Sequence, residues 1–71
     1  MKVIITTHAR VRMKERGISQ REIEECVFRP EKTHKESESI RRFQKSFAYG
    51  TIEVVAEIRS HHFIVITTYP L

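Results

Sequence analysis

The sequence predicts an α+β fold in which a short N-terminal strand and a helical hairpin pack on one face of a three- to four-stranded antiparallel sheet. Three observations support this class. Two short helical segments meet at one glycine, three strand-like segments follow in close succession, and two glycines and two prolines leave little chain for long loops. Residues 1–71 form a single small domain with a thin core, so we expect a partner or self-association to stabilise it.

The composition is that of a small basic globular protein. Thirteen lysines and arginines against nine glutamates, with no aspartate, give a formal net charge of +4. Positive charge concentrated in residues 8–16 and 40–49 would attract polyanions, although ordinary solubility charge explains it as well. The single cysteine, Cys26, and the lack of a long apolar segment predict a cytoplasmic protein with no membrane span.

A short strand and a first helix open the chain. Residues 2–6 (Lys-Val-Ile-Ile-Thr) are rich in β-branched residues, as expected of a short strand. Thr7 is predicted to cap a helix over about residues 8–16. Gly17 has the conformational freedom to adopt the left-handed conformation that ends a helix.

The junction with the second helix carries the clearest local signal. Ile18 precedes a capping box formed by Ser19 and Glu22, so one apolar residue closes the first helix and opens the second. The second helix is predicted over about residues 20–29, and Pro30 stops it.

Residues 31–39 are polar throughout and are predicted to be a mobile loop. Three strands then follow, joined by two-residue turns at Tyr49–Gly50 and Ser60–His61. The predicted strands cover residues 40–48, 51–59 and 62–69.

The two turns fix a register that separates the faces of the sheet. The face covered by the helices is predicted to hold Phe43–Ala56–Val65, Phe47–Ile52–Tyr69 and Ile58–Phe63. Two helices cannot cover the second face, so we expect it to stay open for function or assembly. It is predicted to hold Arg42–Glu57–Ile64, Gln44–Val55–Ile66 and Ser46–Glu53–Thr68, with Arg59 opposite His62.

The first helix places three residues that can carry positive charge beside its apolar side. At 100° per residue, His8, Arg12 and Arg16 share a sector with the apolar residues that must face the sheet. In one interpretation, Arg12 or Arg16 forms a semi-buried ion pair with a glutamate of the sheet or the second helix. In the other, the three residues bind phosphate at the helix N-terminus. Arg41 and Lys45 complete the candidate phosphate-binding set.

Three segments resemble a known family. His8–Ser19, Glu22–Pro30 and the closing segment Val65–Tyr69 look like a family of small bacterial and archaeal domains of unknown function, whose hallmark is a His-Ala-x-x-Arg-Met-x-x-Arg-Gly-Ile opening. That family resembles, more distantly, the RelE/ParE-like toxins. The resemblance implies a helical hairpin on an antiparallel sheet. It implies either cleavage of messenger RNA at the ribosome or inhibition of gyrase, and fold alone does not decide between them.

The resemblance also implies which residues act. Ribonucleases of this type use basic and tyrosine side chains on the open sheet face, without metal. By position these are Arg42, Arg59 and His62, with His62 transferring a proton and the arginines holding the phosphate. Tyr69 also matches by position, but the predicted register places it on the covered face.

We therefore predict an RNA-directed, toxin-like domain, either catalytic or once catalytic, for which metal-independent ribonuclease activity without a cofactor is one option. Its expected partners are RNA or the ribosome, and an antitoxin protein or a second copy of the chain. The alternative is a non-enzymatic interaction module whose interface is formed by Val55, Ile64 and Ile66. A DNA-binding helix–turn–helix ranks last because the second helix is acidic. The sequence has no zinc-ligand spacing, glycine-rich phosphate loop or aspartate, so no metal site is expected.

Overall fold

The computed structural model describes residues 1–71 and contains two helices and a five-stranded sheet. The strand order is β1-β5-β4-β3-β2, with β1 parallel to β5 and every other pair antiparallel. The α+β class is confirmed, with a sheet that is larger than predicted and mixed in direction. In chain order the elements are β1 (Lys2–Ile5), α1 (Thr7–Arg16), α2 (Gln20–Phe28), β2 (Lys32–Lys35), β3 (Ile40–Phe47), β4 (Gly50–Arg59) and β5 (His62–Pro70).

The junction between the helices forms as predicted. Gly17 adopts a left-handed conformation with φ of 65°, and its N–H donates to the carbonyl oxygen of Met13. Ser19 and Glu22 form the reciprocal capping box, with N–H···O distances of 3.1 and 2.8 Å. Ile18 between them is buried. Local sequence signals therefore determine this part of the fold.

The helix boundaries differ slightly from the prediction. Thr6, rather than Thr7, caps α1, and its hydroxyl oxygen accepts from the N–H of Ala9 at 3.1 Å. The same hydroxyl donates to the carbonyl oxygen of Val65 at 2.9 Å, which ties the start of α1 to β5. The second helix ends at Phe28. Neither helix is long and apolar enough to cross a membrane.

Both helices pack on one face of the sheet, and the core lies between them and the strands. Helix α1 lies against β5, and α2 lies against β3 and β4. The opposite face is left open, as predicted. The buried core consists of Ile5, Ala9, Met13, Ile18, Ile23, Cys26, Val27, Phe43, Ile52, Val54, Ala56, Phe63 and Val65.

The β4–β5 hairpin begins in the predicted register. Arg59 pairs with His62, and Ala56 pairs with Val65. The predicted turn at Ser60–His61 is therefore confirmed.

A β-bulge at Ile66 then changes the register. Val55 pairs with Thr67 instead of Ile66, because β5 holds one extra residue at this point. Since successive strand residues point to opposite faces, one extra residue exchanges the faces of all that follow. The predicted placement of Tyr69 on the covered face is wrong: it pairs with Glu53 on the open face.

Thr68 shows the other half of this exchange. It was expected on the open face opposite Glu53, but it pairs with Val54 and is fully buried. Its hydroxyl donates to the backbone carbonyl of Glu53 at 2.8 Å, so burial leaves the hydroxyl paired.

The β3–β4 hairpin is two residues away from the predicted register. Its turn lies at Ala48–Tyr49 instead of Tyr49–Gly50, and Arg42 pairs with Val55 instead of Glu57. A shift of two residues keeps each side chain on its predicted face but changes its neighbours.

The prediction that residues 31–39 form a loop is wrong in part, because they contain strand β2. This strand pairs with β3, placing His34 beside Arg42 and Lys32 beside Gln44. All four of its side chains are exposed, so no hydrophobic alternation marked it in the sequence.

Candidate functional site

Four hydrogen-bonded side chains, which we call the Glu53 cluster, lie on the open face of the sheet. Oε1 of Glu53 accepts from Nε2 of Gln44 at 2.8 Å. Oε2 accepts from Nη1 of Arg42 at 2.9 Å and from the hydroxyl of Tyr69. That hydroxyl also accepts from Nη1 of Arg42 at 2.7 Å. Every side chain in the cluster is therefore held by at least one other.

Strand geometry explains why these four residues meet. Gln44, Glu53 and Tyr69 are direct neighbours in one row across β3, β4 and β5. Arg42 lies two residues from Gln44 on β3 and so shares its face. The bulge at Ile66 completes the row, because without it Tyr69 would point toward the helices.

Arg42 is also bound by a second carboxylate, from the loop after β2. Its Nε lies 2.5 Å from Oε2 of Glu36, and its Nη2 lies 3.4 Å from Oε1. The Glu36 side chain is 43% exposed, whereas that of Glu53 is 7% exposed. Arg42 therefore donates from Nη1 to the buried cluster, and from Nε and Nη2, which form its outer edge, to a solvated carboxylate.

The hydrogen bonds fix the protonation states of the cluster. Burial raises the pKa of Glu53, but hydrogen bonds from Tyr69, Gln44 and Arg42 outweigh it and hold the pKa below its ordinary value. Burial and the hydrogen bond to Glu53 raise the pKa of Tyr69. Bonds to Glu36 and Glu53 raise the pKa of Arg42. At neutral pH the cluster therefore holds an anionic carboxylate, a neutral phenol and a cationic guanidinium.

A polar groove of about 630 Å³ opens beside the cluster. None of its lining residues is hydrophobic, and it adds an imidazole and an ammonium group to the guanidinium of Arg42. Such a groove can bind an anion through the guanidinium of Arg42, and the imidazole of His34 is a side chain of the kind that transfers protons in catalysis. Its lining residues are Lys32, Thr33, His34, Glu36, Arg42, Gln44 and Glu53.

The structure does not bring the three predicted catalytic residues together. Arg42 lies opposite Val55, which is four residues from Arg59, or about 13 Å along the strand. Arg59 is 68% exposed and pairs with Glu57 at 3.0 Å. His62 lies beside Arg59 at the end of the hairpin. Of the three, Arg42 alone belongs to the cluster.

The predicted phosphate-binding residues of β3 lie on the helix side of the sheet. Arg41 and Lys45 share the face of Phe43, which is in the core, and so are separated from Arg42. Nζ of Lys45 donates to the carbonyl of Arg29 at the end of α2, at 2.8 Å. Nη1 of Arg41 is buried without a hydrogen-bond partner.

The cations of α1 have partners other than those expected. Arg12 pairs with Glu15 of its own helix at 2.8 Å. Arg16 donates to the backbone carbonyl of Thr68 in β5 at 2.9 Å, and His8 is exposed. The predicted ion pair with a glutamate of the sheet or second helix is therefore wrong.

Of the predicted interface residues, Val55 lies on the central strand β4, whereas Ile64 and Ile66 lie on β5. Val55 is buried, Ile64 is half-buried, and Ile66 in the bulge is 36% exposed. Ile4 of β1, which is 40% exposed, pairs with Ile64 and extends this area. The result is a small apolar area beside the polar Glu53 cluster.

Several members of the site escaped prediction from the sequence. Glu53 could have been found from the sequence. It is a lone charge within the apolar part of β4, and a charge in such a position usually has a buried partner. His34 and Glu36 lie in a polar segment that carries no such signal. Tyr69 matches the related ribonucleases by position, but the sequence does not show which face of the sheet it occupies, because that depends on the bulge at Ile66.

Comparison with known proteins gives a family and no activity. A family model described as "Domain of unknown function (DUF4258)" matches residues 5–70, which include every residue of the Glu53 cluster. No curated protein and no solved structure matches the chain.

Proposed function

The chain belongs to the DUF4258 family, and we propose that it is an RNA-directed domain that cleaves phosphodiester bonds at the Glu53 cluster without a metal. The observation that carries the proposal is the nearly buried Glu53 carboxylate on an otherwise open sheet face, holding Arg42 and Tyr69. Burying a charge is costly, and strongly perturbed ionisable groups concentrate at functional sites.

RNA suits this set of side chains because it supplies its own nucleophile. In the proposed reaction the 2′-oxygen attacks phosphorus while His34 accepts the 2′-hydroxyl proton. The bond from phosphorus to the 5′-oxygen breaks, and Tyr69 donates a proton to that oxygen. The products are a 2′,3′-cyclic phosphate and a free 5′-hydroxyl. Arg42 binds the phosphate and stabilises the negative charge of the transition state.

Glu53 and Gln44 act as positioning residues in this scheme. Both Glu53 oxygens are already hydrogen-bonded, so its carboxylate orients Arg42 and Tyr69 instead of contacting substrate. The raised pKa of Tyr69 keeps the phenol protonated at neutral pH, and in this scheme its hydroxyl proton moves from the hydrogen bond with Glu53 to the leaving 5′-oxygen. Arg42 lies beside that oxygen and would stabilise the phenolate that proton transfer leaves behind.

The resemblance to RelE/ParE-like toxins extends the proposal. A helical hairpin over a mainly antiparallel sheet is in keeping with that resemblance, and it favours messenger RNA at the ribosome as substrate. It also favours an antitoxin protein as partner and the cytoplasm as location. These extensions rest on likeness, whereas the proposed chemistry rests on the cluster.

Cleavage of a labelled RNA oligonucleotide in the presence of a chelator, free and on ribosomes, tests the proposal. Wild type should release a 2′,3′-cyclic phosphate and leave the matching DNA intact, since DNA has no 2′-hydroxyl. His34→Ala should slow cleavage about a hundredfold, whereas the control His61→Ala, at an exposed turn residue, should not. Absence of wild-type cleavage on both substrates would exclude the enzyme.

A second candidate function is an interaction module, favoured by the exposed apolar side chains at the β1–β5 side. Ile4 and Ile66 are among the most exposed large apolar residues of the strands. If they bind a partner or second copy, Ile66→Asp should dissociate the complex, as measured by light scattering, while Arg42→Glu should have little effect. If the chain is a nuclease, Arg42→Glu should reduce RNA binding and cleavage, while Ile66→Asp should have little effect on either.

A further inference from the structure

We propose that Glu36 occupies, in the free protein, the position on Arg42 that an incoming phosphate group takes, so that the substrate binds by displacing the Glu36 carboxylate. The inference rests on the proposed function. It adds which edge of the Arg42 guanidinium binds the anion, and it names Glu36 as the residue that competes with the anion for that edge.

The hydrogen bonds of Arg42 identify that edge. Nη1 is committed to Glu53 and Tyr69 inside the cluster. Nε and Nη2 form the outer edge of the guanidinium, and both bind Glu36. This pair of N–H groups is the fork with which arginine binds either a carboxylate or a phosphate. A phosphate that approaches from the groove therefore meets an edge that Glu36 already fills.

The two carboxylates on Arg42 differ in how readily they can leave. Glu53 is buried, so releasing it would leave an unpaired charge out of water. Glu36 is 43% exposed and lines the groove, so its carboxylate is solvated as soon as it rotates away. Glu36 is therefore the displaceable partner and Glu53 the fixed one.

The backbone around Glu36 lets the side chain move without unfolding the loop. The Glu36 N–H donates to the carbonyl of Ile40 at 2.9 Å, and the Ser37 N–H donates to the same oxygen at 3.2 Å. The N–H of Ile40 donates to the Ser37 hydroxyl at 3.2 Å. Displacement thus requires only rotation of the Glu36 side chain, with the β2–β3 connection kept in place.

Competition by Glu36 also selects the ligand. Arg42 loses a negative partner when Glu36 leaves, so only a ligand that brings negative charge to the same edge can replace it. The chemical class is therefore an anion with paired oxygens, which a phosphodiester or inorganic phosphate provides.

The same loop offers a matched control. Glu38 is 96% exposed and pairs only with Lys35, at 3.4 Å. Glu36→Gln and Glu38→Gln each raise the net charge by one, so both increase non-specific attraction to a polyanion equally. Only Glu36→Gln removes the negative charge that competes for the outer edge of Arg42.

The experiment is an NMR titration that follows the Arg42 Nε–H signal in wild type, Glu36→Gln and Glu38→Gln. The probes are inorganic phosphate and a 2′-O-methyl oligoribonucleotide, which cannot be cleaved at the 2′ position. Glu36→Gln should bind both at least about threefold more tightly than Glu38→Gln, the amount expected for loss of a partly exposed ion pair. Equal affinities of the two variants, or no binding by Glu36→Gln, would overturn the inference.

Cleavage assays on the same proteins separate this inference from the proposed function. Tighter phosphate binding by Glu36→Gln without RNA cleavage by any variant retains the anion site and excludes the nuclease. Cleavage by wild type with equal affinities of the two variants retains the nuclease and excludes competition by Glu36.

Discussion

Tyr69 lies directly opposite Glu53 across the β4–β5 pair and donates a hydrogen bond to its carboxylate. This contact depends on the bulge at Ile66, because the extra residue there turns Tyr69 to the open face. The same hydroxyl accepts from Arg42, so a local irregularity of β5 assembles the cluster.

Removing the Tyr69 hydroxyl should weaken both the fold and the site. In Tyr69→Phe, Arg42 and Glu53 each lose a hydrogen-bond partner, and we expect the free energy of unfolding to fall by about 1 kcal/mol. Urea denaturation measures this. The control is Tyr49→Phe, at a turn residue that is 56% exposed, which should cost less. Equal losses for the two variants would mean that the Tyr69 hydroxyl contributes no more than the hydroxyl of Tyr49, whose partner is Glu22 outside the Glu53 cluster.

The bulge itself can be tested by deleting its extra residue. Without Ile66, continuous pairing would turn Tyr69 toward the helices and expose Thr68, which is fully buried. We expect the deletion to cost more than about 2 kcal/mol in unfolding free energy, since it disrupts the core and the cluster together. Ile66→Ala keeps the residue count at a partly exposed position and should be milder. A deletion variant as stable as Ile66→Ala would contradict the role given to the bulge.

The helical hairpin and the second β-turn could be predicted because their signals are local. Gly17, Ser19 and Glu22 act on their immediate neighbours, and the turn at Ser60–His61 sets the register of the residues next to it. The site could not be predicted in the same way, because it depends on pairing across three strands.

Each error in the predicted site has a structural reason. The Tyr49–Gly50 turn is a common hairpin pattern, but Gly50, with φ of 141°, is the first residue of β4 instead. The bulge at Ile66 has no glycine or proline to mark it. Strand β2 buries none of its side chains, so the sequence predicts a loop at His34 and gives no position for Glu36, which follows the strand. The parallel pairing of β1 with β5 was not predicted, because it joins opposite ends of the chain and no local signal marks it.

Gly17 should tolerate only residues that accept a left-handed conformation. At φ of 65°, Gly17→Val should lower the unfolding free energy by at least about 1 kcal/mol, because a β-branched side chain is strained there. Gly17→Asn should cost less, since asparagine adopts this conformation more readily. Thermal or chemical denaturation of both variants decides it, and an unchanged midpoint for Gly17→Val would contradict the assigned cap.

Stability should fall in acid because of three glutamates. The pKa of Glu53 is held below its ordinary value, as are those of Glu22, through the Ser19 backbone hydrogen bond, and Glu36, through Arg42. A carboxylate with a lowered folded-state pKa stabilises the protein above its unfolded pKa of about 4.3. That stabilisation is lost as the pH falls through the folded-state value.

Urea denaturation between neutral pH and about pH 3 should therefore show a steep loss of stability below about pH 4.3. Glu53→Gln should flatten this dependence. Should Glu53→Gln fail to fold, an NMR titration of the Glu53 carboxyl carbon in wild type measures its pKa directly. A Glu53 pKa at or above the ordinary glutamate value would contradict the cluster as described.

The most direct test of the central claim compares RNA cleavage by Arg42→Lys and Arg59→Lys. Both substitutions keep the net charge, so non-specific attraction to RNA is unchanged, and each removes one guanidinium fork. Because Arg42 alone lies in the Glu53 cluster, Arg42→Lys should lower kcat/KM about a hundredfold, while Arg59→Lys, at a side chain that is 68% exposed, should leave it within about twofold. Equal losses, or a larger loss for Arg59→Lys, would contradict the assignment of the site.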